Sequence, residues 1–139
     1  MDILIDFDGT CVTHEFPLVG KDIGAAQVLR DLVRNGHRLI LFTMRAEDCS
    51  IQPALDWFAE NDIALYAVQC HPEQHKFTSS PKALGDLMID DTALGVKLYS
   101  CRLSRDCVDW QWAAEKLLRR GLLTGEQVAR YNFAMRMWL

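Results

Sequence analysis

No apolar stretch in the 139 residues approaches the ~20 that a membrane span requires; runs such as Leu39-Ile40-Leu41-Phe42 end after four. The amino end, Met1-Asp2-Ile3-Leu4-Ile5-Asp6, has acid where a secretory signal has base, so no export leader is expected. No C-x-x-C pair occurs among Cys11, Cys49, Cys70, Cys101 and Cys107. An odd number of cysteines without that spacing fits no disulfide framework and predicts reduced thiols in a cytoplasmic protein. No repeat, low-complexity tract or Gly/Ser/Pro-rich linker divides the chain, which predicts one domain overall. Base is also scarce. Residues 1–100 hold 8 Lys and Arg against 15 Asp and Glu, which argues against generic coating of nucleic acid. Nucleic acid then enters only as a substrate.

What is present is the balance of a soluble globular domain: 50% hydrophobic and 24% charged. A chain of this length buries roughly two-thirds of its extended surface on folding, enough for its own core. The apolar pattern alternates between two periods. Ile3-Leu4-Ile5 and His37 to Thr43 are short continuous runs, as in strands buried on both faces. Ile63 to Val68 and Asp86 to Ile89 predict a third and a fourth strand. Between them, Ile23, Ala26, Leu29, Leu32 and Val33 recur at helical spacing over 22–35, with Gly36 as the stop. A second helix runs from a Ser50 cap to about Asn61. Strands alternating with helices predict an α/β fold, three-layer and Rossmann-like, around a parallel sheet. Residues 101–139, with 7 bases against 4 acids, form a helical C-terminal extension on the core of residues 1–100. Its helices are predicted over about 109–120 and from Thr124, whose Gln127 completes a capping box. The stripe Val128, Tyr131, Met135, Trp138 predicts a core-facing side, with a homo-oligomer contact through these helices as the alternative.

In an open parallel sheet, ligands bind beyond the carboxyl ends of the strands. The first strand delivers Asp6 and Asp8, then Gly9 and Thr10; the second delivers Thr43, with Arg45 two residues on. The fourth delivers Asp90 and Asp91, with Lys82 shortly before it. Carboxylates gathered at one edge repel unless a cation lies among them. Oxygen ligands suit Mg²⁺. A lysine and a threonine beside that ion are donors that a phosphate group would satisfy.

Asp6-Phe7-Asp8-Gly9-Thr10 after an apolar strand resembles the DxDGT signature of the haloacid dehalogenase (HAD) superfamily of phosphatases. Thr43 resembles that family's second motif, Lys82 its third, and Ile89-Asp90-Asp91 its fourth, over residues 1 to about 100. The resemblance implies a Mg²⁺-dependent phosphomonoester hydrolase with an aspartyl-phosphate intermediate. Asp6 would be the nucleophile. Asp8 would protonate the leaving oxygen and later take a proton from water. Thr43 and Lys82 would hold phosphoryl oxygens. The metal would be held by the Asp6 carboxylate, the Asp8 carbonyl and the Asp90/Asp91 pair. Adjacent strand residues point to opposite faces, so one of the two would bind directly: Asp91, the one further past the strand end, with Asp90 behind it. Arg45 and the flap residue His14 are candidate substrate contacts, Arg45 alternatively forming a surface ion pair with Glu47 or Asp48. About a dozen residues separate the first motif from the first helix, so the chain resembles the capless branch, with 13–17 as a short flap. Such a site admits a small phosphorylated molecule or the end of a large one.

Three other readings compete. A catalytically silent HAD-like module would bind a phosphorylated partner, and a phosphotransferase would use an acceptor other than water. A response-regulator receiver needs its acceptor aspartate after the third strand, where this chain has Gln69-Cys70. Cys70, His71 and His75 lack the fourth ligand of a structural zinc site.

Overall fold

The computed structural model describes residues 1–48, 50–101 and 104–138, without the side chain of Trp138. The expectations for Cys49 and for the apolar end at Trp138 and Leu139 lie outside what is described. The order of elements is β1 (Asp2–Ile5), α1 (Ala25–Arg34), β2 (Arg38–Leu41), α2 (Ile51–Glu60), β3 (Ala67–Val68), a 3₁₀ turn (Gln74–Lys76) and β4 (Leu87–Ile89). The chain continues through β5 (Leu98–Tyr99), β6 (Cys107–Val108), α3 (Trp110–Arg119) and α4 (Gly125–Trp138). The four-stranded sheet runs β3-β2-β1-β4 and every pairing in it is parallel.

That order is Rossmann-like, with its switch point between β1 and β4. Ile3 pairs with Leu39 and Ile5 with Leu41, and these four point to one face. There they meet buried residues of all four helices, among them Leu29, Phe58, Trp110 and Val128. Leu4 and Ile40 point to the other face, where Ala83, Phe42 and Tyr66 cover them. A right-handed crossover from β3 back to β4 has to pass over that second face. The connection making it carries one 3₁₀ turn, so the second covering layer is irregular chain.

The helix ends explain where the pattern misplaces boundaries. Asp22 Oδ1 accepts from the amides of Gly24, Ala25 and Ala26 at 3.0, 2.9 and 3.3 Å. Yet α1 begins only at Ala25, because Gly24 has φ +97° and a Cβ there would strike the Tyr131 hydroxyl. Ile63 does not open β3. It is buried against the helices, and its amide closes the end of α2 on Phe58 O at 2.9 Å. Pairing with β2 begins at Tyr66, whose amide donates to Leu39 O at 2.7 Å. The capping box on α4 forms in both directions: Gln127 N to Thr124 Oγ1 at 3.1 Å, and Thr124 N to Gln127 Oε1 at 2.9 Å.

The C-terminal helices are tied to the core by polar contacts as well as apolar ones. The Trp110 indole donates to Thr10 O at 2.6 Å, and Arg130 reaches buried Asp31 at 3.0 Å. Arg130, one of the basic residues on this extension, is thus committed to an internal pair. No helix among the described residues is long and apolar enough to cross a membrane.

Candidate active site

Beyond the carboxyl ends of β1 and β4, Asp6, Asp90 and Asp91 each offer a carboxylate oxygen, and these oxygens lie within 4.8 Å of one another. Both acids of the pair face Asp6. The alternation of a strand does not separate them here, because β4 ends at Ile89 and the chain turns at once. Asp90 Oδ1 closes that turn by accepting from the Thr92 amide and hydroxyl at 2.8 and 2.7 Å. Thr10 locks the two strand ends together. Its hydroxyl donates to Asp6 Oδ2 at 2.7 Å and accepts from the Asp91 amide at 3.0 Å. Gly9, with φ +81°, makes the loop possible, since a Cβ there would run into the His14 ring and the Asp91 carboxylate.

These three acids and Thr43 line a cleft of about 490 Å³ with Asp8, His14, Phe16, Met44, Arg45, Thr92 and Arg105. His14 Nε2 is 2.9 Å from Asp91 Oδ2, so the flap is latched to the acid pair. The Thr43 hydroxyl accepts from the Arg45 amide at 3.1 Å. Gln69, just past β3, braces this turn by accepting from the Thr43 amide and donating to the carbonyls of Thr43 and Arg45, at 3.0, 2.8 and 2.8 Å.

The structure places Arg45 and Lys82 differently from the expectation. Arg45 lines the cleft, but its donors are spent on internal partners rather than on Glu47 or Asp48 at the surface. Its side chain is 1% exposed and all five of its N–H donors are taken. Nε and Nη2 bind the two Asp8 oxygens at 2.8 Å each. The remaining donors go to Leu18 O, Ser50 O and Pro17 O at 2.8, 2.9 and 3.4 Å. Lys82 is the second difference. It lines shallow hollows on the Leu4–Phe42 side of the sheet, not the cleft. The crossover to β4 is pinned below it, by Gln74 donating to Lys82 O at 2.7 Å and Leu84 N donating to Gln74 Oε1 at 2.8 Å. Among the described residues, Arg105 also lines the cleft. It lies in the β5–β6 connection, where no periodicity marks it. Thr10 was visible in the DFDGT stretch, but its bridging role needs the β1–β4 pairing to be known.

Electrostatics sets the cluster apart. Burial, and then the charges of Asp90 and Asp91, push the Asp6 carboxyl from 3.8 up to about 7, against the opposing Thr10 hydroxyl and Phe7 amide. A carboxyl raised in this way costs the fold nothing while it is protonated. The cost builds as pH rises from about 4 to about 7 and persists above. Metal-free protein is therefore expected to melt lower at pH 7.5 than at pH 5 by on the order of 10 °C. A cation among the three acids removes that cost, so millimolar Mg²⁺ should raise the melting temperature at pH 7.5 and hardly change it at pH 5. Differential scanning calorimetry checks both, and Asp6→Asn should abolish the difference between the two pH values.

The donor set fits a hard divalent ion. It is all oxygen, it is partly buried, and its three carboxylate oxygens lie within 4.8 Å of one another.

No protein-family model and no curated protein matches the chain. A solved structure of a conserved protein from Bacteroides thetaiotaomicron is similar, with 30% sequence identity and a TM-score of 0.68. The alignment covers 92% of this chain and 96% of that one. The two chains belong to one family. With 92% of this chain aligned, most of the C-terminal extension is part of the shared fold as well as the sheet. That protein is described only as conserved, so the likeness carries the architecture and brings no activity with it.

Proposed function

We propose that the chain is a Mg²⁺-dependent phosphomonoester phosphatase of HAD type, without a cap domain. The observation that carries the reading is the convergence of Asp6, Asp90 and Asp91 at the switch point, facing a cleft lined by Thr43 and Arg105. A Mg²⁺ ion held by Asp6, the Asp8 carbonyl and the Asp90/Asp91 pair would offset the charge of a phosphate brought up to the carboxylates.

In this reading, Thr10 holds Asp6 Oδ2, leaving Oδ1 to attack phosphorus in line. The bond from Oδ1 to phosphorus forms as the bond to the ester oxygen breaks, giving an aspartyl-phosphate. Water then displaces Asp6 from phosphorus and releases inorganic phosphate. The Thr43 hydroxyl and the Arg105 guanidinium are the donors for phosphoryl oxygens; Arg105 takes the part that the sequence pattern gave to Lys82. Asp8 is the proton carrier, giving a proton to the ester oxygen and later taking one from water. Both its oxygens are bonded to Arg45, so one of those bonds has to open for each transfer. The cleft is bordered by the flap residues His14 and Phe16 alone on its 13–17 side, which leaves room for small phosphoesters and for the end of a larger molecule.

The Asp8–Arg45 pair also favours a second reading, in which the cleft binds a phosphorylated partner without turning it over. A panel of phosphomonoesters assayed for phosphate release with Mg²⁺ and with EDTA separates the two. The phosphatase reading predicts release from at least one class of ester, abolished by EDTA. Saturable binding with no release from any ester would leave the silent module standing.

A further inference from the structure

β5 and β6 pair antiparallel, with Tyr99 opposite Cys107. Cys101 follows two residues beyond Tyr99, and its sulfur lies 3.4 Å from that of Cys107, with both thiols free. Thiols at van der Waals contact across a hairpin need to approach by only about 1.4 Å to reach the ~2.05 Å of a disulfide. We propose that Cys101 and Cys107 are a reversible dithiol–disulfide pair that tethers the rim of the cleft, closed by exchange with a low-molecular-weight disulfide.

The two sulfurs differ in access. Cys107 is fully buried, while Cys101 is half-exposed. Burial pushes the Cys107 thiol up to about 12, with Cys101 adding to the effect, so Cys101 is the point of entry and Cys107 the resolving thiol. Cys11 is sealed in the core and burial holds its thiol well above the usual range, which removes it from competition. Cys70 is exposed and serves as an internal control.

The exchange balances. The Cys101 thiolate attacks one sulfur of glutathione disulfide; its S–S bond breaks and one glutathione leaves as thiolate. Cys107 then loses its proton and attacks the Cys101 sulfur of the mixed disulfide, expelling the second glutathione. Two protein thiols are oxidised and one glutathione disulfide is reduced to two glutathiones. The consequence is local to the cleft whatever reaction occurs there. Arg105 lies between the two cysteines and lines the cleft. β6 is fastened to the acid-bearing loop, with the Val108 amide on Gly9 O at 2.9 Å.

The test is to incubate the reduced full chain with glutathione disulfide at neutral pH and map its thiols by intact mass and tryptic peptides. Trypsin cuts after Arg102 and Arg105, so the disulfide would hold the peptide of residues 98–102 to that of residues 106–116. Expected are the loss of two hydrogens from the chain and that linked pair, separated again by dithiothreitol. Cys107→Ser should instead accumulate glutathione on Cys101, at least tenfold over wild type. Cys101→Ser should give no linked pair and no adduct on Cys107. A stable glutathione adduct on Cys101 of the wild type, or a bond running through Cys70 or between chains, overturns the proposal.

Discussion

Asp6→Asn is expected to lower phosphate release by three orders of magnitude or more, on the order of 4 kcal/mol of transition-state stabilisation. The amide keeps nearly the same volume and can still accept from the Thr10 hydroxyl, yet it is a far poorer nucleophile toward phosphorus. Folding should improve rather than suffer at neutral pH, because the group whose ionisation is penalised by burial and by Asp90 and Asp91 is gone. A dead enzyme that melts higher than its parent in EDTA is a combination that general damage does not produce. Steady-state release of phosphate and a thermal melt of the same preparation check both halves. Full activity in the variant would remove Asp6 from the nucleophile's role.

The second large effect is on stability and comes from Arg45. Arg45→Met keeps much of the side chain's volume against Phe7 and Phe16, whose ring centres lie 5.1 and 5.2 Å from the guanidinium carbon. It removes five donors from a buried place, leaving the Asp8 carboxylate without its partner and three carbonyls without theirs. Breaking a buried pair from one side costs about 3–5 kcal/mol, as measured by urea unfolding. Asp8→Asn should also destabilise, and the double variant should be less destabilised than the sum of the two single ones. Strict additivity would mean that the two residues do not act as one unit.

Arg45 also shows where sequence reasoning ends. Its position two residues after Thr43 placed it at the right edge of the sheet, but nothing in the chain says whether an arginine there points outward or is buried. Its burial depends on carbonyls from Pro17, Leu18 and Ser50, contributed by two segments far apart in sequence. Asp6, Asp90 and Asp91 were legible because a strand's end is a local feature, and because a parallel sheet aligns such ends without further information. Lys82 failed for the complementary reason. Its eight-residue offset from Asp90 says nothing about the path of an irregular crossover, and Gln74 fixes that path. The β5–β6 hairpin, with Arg105 and the two apposed thiols, has strands of two residues each, too short for any period to register.

The phosphatase reading and the stabilisation by Mg²⁺ at pH 7.5 share one premise: the three carboxylates converge on a divalent ion, which in the phosphatase reading a phosphoryl group then joins. Crystals grown at pH 7.5 with Mg²⁺ and orthovanadate test it directly. The account predicts an ion about 2.1 Å from an Asp6 oxygen and from at least one oxygen of Asp90 or Asp91. It also predicts vanadium in contact with the other Asp6 oxygen. Vanadate bound elsewhere, or the three carboxylates splayed apart with no ion between them, would contradict it.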